Sequence, residues 1–505
     1  MSQRIMRLVS FLLILAALIP AGAAQSAVQT AVPGVPNETR LFLPMVVGPE
    51  SSIPVSSVLT PFDVNLYDLN GPESWSSNYG MTPQIIVASD GTELDVLAQD
   101  YNDATAWKAV LLHVEPVITG SGYKVTQALT NMPFIDLVMG LSIDSSGSRY
   151  YATGIYEDDV VNATYPPANT YRSNIVRVVK LDAAGSVLFN IDLDIARHNF
   201  NANAEMIINP MVAATSRLLV GGNEIALVHG INTGPDPKLN GTRHQKALST
   251  RLNAATGAVT RTSSVWVSHS FDERLLYDGA GIIEHHLGDA YPRYIVFARN
   301  HTSYPLFHIK GSLGDNVTYT RLGNLALIEG DPTYKYLALF VTEGNAATAE
   351  TINGARNLAM VRVKGSDNSI DPNLPDTLTV TSSGTSRTNR LKWLTAYSDA
   401  SNLHAERPKL VALGGDRYIA LWEEWRNTGN WWESDYHGVY AMLIDDEGTI
   451  LRPATLITSD YHLPRGDDAF MLDGRAAWMT GSENLKCLYL HFVDENLNYE
   501  MVTLN

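Results

Sequence analysis

Glycine-containing turns recur along this chain at intervals that indicate a repeated unit of sheet. Seven of them separate short apolar runs and lie at Asp90-Gly91, Ser146-Gly147, Gly221-Gly222, Asp278-Gly279, Gly330-Asp331, Gly414-Gly415 and Asp473-Gly474. A second set of seven turns, five of them with glycine and two with Asn or Asp alone, alternates with the first and lies at 120–122, 182–185, 253–257, 300–303, 365–368, 445–448 and 494–496. Because Gly, Asn and Asp accept the positive φ that tight hairpins need, each turn predicts a β-hairpin. Long stretches with helical periodicity are missing, so the chain is predicted to be all-β.

The spacing of these turns predicts how the strands are arranged. From Gly91 to Gly474 the six intervals of the first set average about 64 residues. Fourteen hairpins make seven units of four strands, and such an array is typical of a β-propeller with a central channel. Sheets packed around a ring are buried on both faces, which explains apolar runs such as Tyr418 to Trp422. A β-sandwich has fewer strands and no such period, whereas rings of six or eight blades stay open as alternatives.

Residues 80–505 therefore resemble secreted bacterial β-propellers as an architectural class. The Ser-x-Asp-x-Gly-x-Thr-Trp box of sialidases is not reproduced, although the segment SIDSSGS from Ser142 to Ser148 mimics it. The Gly-His and Trp-Asp signatures of some propeller blades are also missing. A phosphate-binding Gly-rich loop, an HExxH pair and a GxSxG elbow are absent from the sequence, which excludes the corresponding kinase, zinc-protease and esterase classes. The resemblance implies a fold and not an activity.

The N-terminal residues predict export. Arg4 and Arg7 precede an apolar stretch from Leu8 to Ile19, and small residues follow, so residues 1–27 are predicted to be a signal peptide. That stretch is too short to span a bilayer comfortably, so no transmembrane anchor is expected after processing. Residues 28–57 are predicted to be a linker and residues 58–505 the propeller domain. The expected location is extracellular or periplasmic.

Composition limits the partners. The 505-residue chain has 36 Lys and Arg against 53 Asp and Glu, a net charge of −17, which disfavours nucleic-acid binding. A single cysteine excludes a disulfide framework and CxxC metal or redox sites. A glycan or an extracellular protein is the expected partner.

Histidine and arginine concentrate in the loops on one face of the predicted ring. These loops join second to third strands and one blade to the next, and they hold nine of the 13 histidines. Four histidines precede the first strand of a blade with an arginine nearby. The residues expected to bind ligand at the channel mouth are His198, His404 with Arg407, and His462 with Arg465. Guanidinium groups bind carboxylates or sulfates, and imidazoles act as bases or metal ligands, but both also satisfy main-chain carbonyls between blades.

The densest segment is residues 266–293. It contains candidate catalytic residues His269, Arg274 and Tyr291, together with candidate ligand-binding residues Asp272, Asp289 and Arg293. Alternation along a strand places Asp272 and Arg274 on one face. A base and an acid beside an arginine that neutralises a substrate carboxylate would suit a polysaccharide lyase, which this set is similar to in residue types only.

Two further segments complete the candidate sites. Trp425 and Trp431 lie in a loop rich in Glu and Asn, a composition that suits sugar binding if the rings are exposed; packing that braces a long loop is the alternative. The sequence identifies no cofactor, but a divalent cation such as Ca²⁺ is considered at Glu157, Asp158 and Asp159. These residues lack EF-hand spacing, and a solvated turn is the alternative.

Three functions follow from the sequence, in this order. The first is a secreted propeller that binds a glycan or a protein at the channel mouth. The second is a carbohydrate-active enzyme, most plausibly a polysaccharide lyase. The third is an envelope scaffold with no small ligand.

Overall fold

The fold is described from a computed structural model. It describes residues 85–100, 108–117, 122–129, 137–155, 175–194, 206–207, 216–233, 245–265, 272–287, 294–299, 302–309, 320–344, 355–382, 385–430, 433–464, 467–481 and 488–504. The predicted signal peptide and linker lie outside these residues. Within the described ranges the one helical segment is a short 3-10 turn, Asp399–Ser401. Across the same ranges, no helix has the length and apolarity needed to cross a membrane.

The strands form seven antiparallel sheets, each built from a continuous part of the chain. Blade 1 comprises β1 (Ile85–Ser89), β2 (Leu94–Asp100), β3 (Lys108–Pro116) and β4 (Tyr123–Leu129). Blade 2 comprises β5 (Leu137–Ile143), β6 (Arg149–Ile155), β7 (Ile175–Leu181) and β8 (Val187–Asp194). Blade 3 comprises β10 (Arg217–Gly221), β11 (Glu224–Thr233), β12 (Gln245–Asn253) and β13 (Val259–Val265), and a short additional strand β9 (Met206–Ile207) pairs with β11.

The remaining four sheets complete the ring. Blade 4 comprises β14 (Glu273–Tyr277), β15 (Ile282–Leu287), β16 (Tyr294–Arg299) and β17 (Thr302–His308). Blade 5 comprises β18 (Arg321–Leu327), β19 (Tyr334–Glu343), β20 (Arg356–Lys364), β21 (Asp376–Ser382) and β22 (Thr385–Trp393). Blade 6 comprises β23 (Leu403–Ala412), β24 (Tyr418–Asn430), β25 (Glu433–Ile444) and β26 (Ile450–Thr458). Blade 7 comprises β27 (Phe470–Leu472), β28 (Arg475–Gly481), β29 (Leu488–Val493) and β30 (Tyr499–Leu504).

The first strands of the seven blades surround the ring axis. Each contacts the first strand of the next blade, from β1 through β27, and β27 contacts β1 again. This closed cycle confirms the predicted seven-bladed propeller. We call the end of the ring at which the first strands begin the mouth, and the opposite end, which carries the hairpins between first and second strands, the hairpin end.

Side chains in the turns explain why the hairpins form where they do. At the β5–β6 turn, one carboxylate oxygen of Asp144 accepts hydrogen bonds from the main-chain N–H groups of Ser146 (2.9 Å) and Ser148 (3.0 Å). Gly147 follows with a φ of 78°, a conformation that costs glycine little. Hydrogen bonds from the main chain to a side chain within the turn stabilise it without any contact to another blade.

Thirteen of the fourteen predicted turns join strands that pair with each other. The exception is the turn at 365–368 in blade 5. The chain there makes a single bridge between Val363 and Ile370, forms β21 further out, and returns as β22, which pairs with β20. An inserted hairpin therefore takes the place of a simple fourth strand.

Candidate functional site

Arg274 is held at the mouth by groups from three blades. It stands just inside the start of β14, and its Nη1 lies 2.7 Å from Oδ1 of Asp272, as strand alternation predicts. Its Nε lies 2.9 Å from Oδ1 of Asp468, which precedes β27 in blade 7. Its Nη2 donates a hydrogen bond to the carbonyl oxygen of Leu322 in blade 5, and the amide of Leu322 donates to Oδ2 of Asp272. The guanidinium is thus already neutralised by two carboxylates.

Lys409 and Asp467 extend this group of charges around the ring. The Lys409 side chain is buried in blade 6, and its ammonium donates a 2.6 Å hydrogen bond to the carbonyl oxygen of Asp467. The carboxylate of Asp467 accepts a 2.9 Å hydrogen bond from the amide of Val87 in blade 1. Together with Arg217 from blade 3, these residues form what we call the mouth cluster, which consists of Arg217, Asp272, Arg274, Lys409, Asp467 and Asp468.

Asp468 is a partly exposed carboxylate of the mouth cluster. Its side chain is 27% exposed, and its Oδ2 lies 3.9 Å from Nε of Arg217, which is 13% exposed. It therefore contacts two arginines from blades across the ring while a part of its surface still reaches solvent.

The close approach of these charges separates the pKa values of two adjacent carboxyl groups. Burial, followed by the charge of Asp468, raises the pKa of Asp467 to about 6. Burial opposes ionisation of Asp468 as well, but Arg274, Arg217 and Lys409 outweigh it, so the pKa of Asp468 is lowered. Burial and the neighbouring Arg274 lower the pKa of Lys409 to about 8. The cluster thus holds an ionised carboxylate beside one that gains a proton in weak acid.

Glu273 adds a buried acid behind the cluster. Its side chain is 1% exposed, and neither carboxyl oxygen has a hydrogen-bond partner among the described residues. Burial raises the pKa of Glu273 to about 8, because an ionised carboxylate is costly in a site without donors. This residue is therefore neutral at pH 7.

A second buried network lies in the mouth half of blade 6, around Glu423. Its Oε1 lies 3.0 Å from Nη1 of Arg407 and 3.2 Å from Nδ1 of His462, and it accepts a 2.8 Å hydrogen bond from the amide of Leu463. The indole N–H of Trp425 donates to Oε2 at 2.8 Å. Burial opposes ionisation, but Arg407 and His462 outweigh it and lower the pKa of Glu423. The network joins β23, β24 and the segment that leads to blade 7.

A β-bulge in β23 brings Arg407 to this network. The pairing with β24 shifts between Glu406 and Lys409, and Arg407 adopts a φ of 49° directly before Pro408. Such a conformation is uncommon for a residue with a side chain. The bulge lets Arg407 contact Glu423 while Lys409, two residues further on, joins the mouth cluster.

Of the two alternatives for Trp425, a sugar platform or a packed ring that braces the loop, the structure shows the packed ring. The side chain is 1% exposed, because its ring stacks on His462 at a centroid distance of 5.7 Å and contacts Tyr436 at 5.1 Å. It braces blade 6 and offers no open face to a sugar. The predicted ligand-binding residues Arg407 and His462 serve the same buried network.

His404 also has an internal partner. Its Nδ1 accepts a 3.3 Å hydrogen bond from the amide of Arg356 in blade 5. Burial and the charge of Arg356 lower the pKa of His404 to about 3, so the ring is neutral. It joins two blades at the mouth end.

Of the predicted site residues, the structure brings Asp272 and Arg274 together at the mouth, and Arg407, Trp425 and His462 together around Glu423. Seven others lie outside the described residues: His198, His269, Asp289, Tyr291, Arg293, Trp431 and Arg465. Arg217, Lys409, Asp467 and Asp468 were missed. A common spacing in the sequence could have found Arg217 and Lys409. Like Arg274, each of them lies five residues before a glycine in the first hairpin of its blade.

A group with metal-ligand chemistry lies at the hairpin end of blade 1. One ligand atom from each of Glu93, His113 and Glu115 lies within 4.8 Å of the others. The segment considered for Ca²⁺, Glu157 to Asp159, lies outside the described residues.

Comparison with known proteins does not assign this chain to a family. No family model matches this chain, and no curated protein is similar to it in sequence. The β-propeller domain of the Trilobed protease from Pyrococcus furiosus is 7% identical over 84% of this chain and 98% of its own, with a TM-score of 0.39. A protein of unknown function from Dyadobacter fermentans is 9% identical over 83% of this chain and 93% of its own, with a TM-score of 0.38. A Trypanosoma rangeli sialidase is 13% identical over 79% of this chain and 57% of its own, with a TM-score of 0.34.

Proposed function

We propose that this protein is an exported binding propeller that recognises a glycan at the mouth of the ring. The observation that carries the proposal is the mouth cluster, in which charged side chains from blades 3, 4, 6 and 7 meet around the partly exposed carboxylate of Asp468. Residues far apart in sequence converge there.

The proposal of export is supported by the leader-like residues 1–27. N-terminal sequencing of the protein recovered outside the cytoplasm tests it.

The accessible part of the cluster suits hydroxyl groups. A sugar hydroxyl both donates and accepts hydrogen bonds, so it is matched by a carboxylate beside cationic donors. Asp468 presents only about a quarter of its side chain, which favours a single polar group of a ligand over a broad protein surface. Arg274 already contacts the carboxylates of Asp272 and Asp468. It is therefore less available to an acidic glycan, and neutral glycans fit this cluster better.

The test is a glycan array probed with the wild-type chain and Asp468→Asn. We expect the wild type to bind a defined set of neutral glycans and Asp468→Asn to lose at least tenfold in affinity, while its unfolding transition is retained. Glu447→Gln is the matched control, because that carboxylate is exposed in the β25–β26 turn at the hairpin end. Equal binding by wild type and Asp468→Asn overturns the proposed site, and binding only to an extracellular protein replaces the glycan with a protein partner.

A second candidate, a carbohydrate-active enzyme, is favoured by one observation. Asp467 and Asp468 are adjacent, and the pKa of Asp467 is raised to about 6 while that of Asp468 is lowered. Glycosidases use one protonated and one ionised carboxyl group in this way. Release of reducing sugar from a polysaccharide panel tests a hydrolase, with Asp467→Asn as the variant that should lose activity. Ultraviolet absorbance of unsaturated products, compared between wild type, His269→Ala and Tyr291→Phe, tests the lyase hypothesis.

A further inference from the structure

Three side chains converge on one point at the hairpin end of blade 1, away from the mouth. Glu93 follows the β1–β2 turn, and His113 and Glu115 lie near the end of β3. Nε2 of His113 is 3.4 Å from Oε2 of Glu93 and 3.4 Å from Oε1 of Glu115. The side chains are 19% exposed for His113, 45% for Glu93 and 37% for Glu115, so the point between them is open to solvent.

The two separations from Nε2 of His113 match edges of a metal coordination polyhedron, and all three ligand atoms lie within 4.8 Å of one another. Ligand atoms bound to zinc at about 2.1 Å in a tetrahedron are about 3.4 Å apart. A direct N–H···O hydrogen bond is shorter, about 2.9 Å, and the single proton on Nε2 can serve only one of two carboxylates at full strength. A cation placed between the three side chains would take a lone pair from each of them at once.

A buried carboxylate orients the imidazole for this role. Oδ1 of Asp95 lies 2.7 Å from Nδ1 of His113, and the Asp95 side chain is buried. Its other oxygen accepts a 2.7 Å hydrogen bond from Nε of Arg149 in blade 2. When Nδ1 donates to Asp95, the lone pair of Nε2 points towards the two glutamates. Histidine ligands of metals are commonly held by such a carboxylate.

We propose that Glu93, His113 and Glu115 bind a divalent transition metal of the zinc class, with a fourth coordination position left to water or to a donor atom of a partner. One imidazole nitrogen and two carboxylates are ligands that Zn²⁺ accepts, whereas Ca²⁺ takes six to eight oxygens and is poorly served here. The site is distinct from the mouth cluster, so the proposal of a metal site does not depend on glycan binding.

The experiment is calorimetric titration of the chelator-treated full chain with Zn²⁺, and separately with Ca²⁺. We expect one equivalent of Zn²⁺ to bind at this site and Ca²⁺ to bind far more weakly. Cobalt(II) should give the intense visible absorption of tetrahedral coordination. Glu115→Gln, an exposed and structurally mild change, and His113→Gln should each remove that equivalent. Asp95→Asn should weaken binding by about 10- to 100-fold without changing the stoichiometry.

His437→Gln is the matched control. His437 also has a carboxylate at its Nδ1, with Oε1 of Glu424 at 3.0 Å, but it is not part of a three-ligand group among the described residues. Its variant should bind Zn²⁺ as the wild type does. Failure of the wild type to bind an equivalent of Zn²⁺, unchanged binding by Glu115→Gln, or preference for Ca²⁺ would each overturn the proposal.

Discussion

At the scale of single residues, Glu273 is a carboxyl group that the fold keeps protonated. It is buried without a donor among the described residues, and its pKa is raised to about 8 from an ordinary value near 4.5. Between these values the unfolded chain is ionised while the folded chain keeps its proton. The stability that this proton provides is fully present below pH 4.5 and is lost as the pH rises through 8.

Glu273→Gln should therefore gain stability relative to wild type as the pH rises. The expected gain is about 1.4 kcal/mol per pH unit between pH 5 and pH 8, with a plateau above that, because glutamine cannot ionise. Urea unfolding at several pH values measures it. Glu447→Gln, which changes an exposed carboxylate, should show the same dependence of unfolding free energy on pH as the wild type. The same dependence for Glu273→Gln would contradict a protonated Glu273.

Glu423 is the opposite case, a buried carboxylate that is fully partnered. Glu423→Ala removes the group that contacts Arg407, His462, Trp425 and the Leu463 amide, so unfolding free energy should fall by about 3–5 kcal/mol. A cycle with Arg407→Ala should show the double variant losing much less than the sum of the singles. Glu500→Ala, which breaks an exposed pair with Arg475, should cost less than about 1 kcal/mol.

At the scale of strands, the inner ring depends on close approach of neighbouring backbones. A Cβ on Gly140 in β5 would lie 2.5 Å from Cβ of Leu218 and 2.9 Å from its amide nitrogen in β10. Gly140→Ala should therefore push β5 from β10 and lower the free energy of unfolding by about 1–3 kcal/mol. Gly344→Ala, where the nearest atoms lie at 3.7 and 3.9 Å, should stay within about 0.5 kcal/mol of wild type in the same denaturant titration. Equal losses in both would show that strand spacing is not the cause.

Strand elements were predictable because their turns are coded locally. Asp144 fixes its hairpin with neighbours in sequence, so composition and spacing suffice to find it. The inserted β21–β22 hairpin of blade 5 was not predictable, because turn spacing does not say which of the two strands pairs with β20. For Trp425 the sequence left open sugar binding by an exposed ring and packing that braces the loop; burial against His462, in the segment before blade 7, favours packing.

At the scale of the whole molecule, the mouth cluster could be predicted only in part. Asp272 and Arg274 lie on one strand, so alternation alone brings them together. Arg217 and Asp468 are 251 residues apart, and their contact requires the ring to close with seven blades. Arg217, Arg274 and Lys409 share one spacing to a hairpin glycine, which predicts that they lie at the same level of the ring. This spacing does not predict which acidic side chains they contact.

Closure of the ring rests on side-chain and main-chain contacts between blades 7 and 1. Each blade is built from a continuous part of the chain, so no described strand from one terminus completes a sheet of the other. The amide of Val87 donates to Asp467 at 2.9 Å, the amide of Asp473 donates to the carbonyl oxygen of Gly91 at 2.9 Å, and a shared apolar cluster packs behind them. We call this junction the seam.

Asp467→Ala should open the seam before the rest of the ring. Loss of the acceptor leaves the Val87 amide without its partner, which costs about 1–3 kcal/mol. Hydrogen exchange should therefore accelerate about tenfold or more in residues 85–98 and 470–481, and stay unchanged in β19 of blade 5. Asp467→Asn keeps an acceptor oxygen and should restore slow exchange, which separates the hydrogen bond from the charge. If exchange rises equally in all seven blades, the ring opens as one cooperative unit and the seam is not its weakest junction.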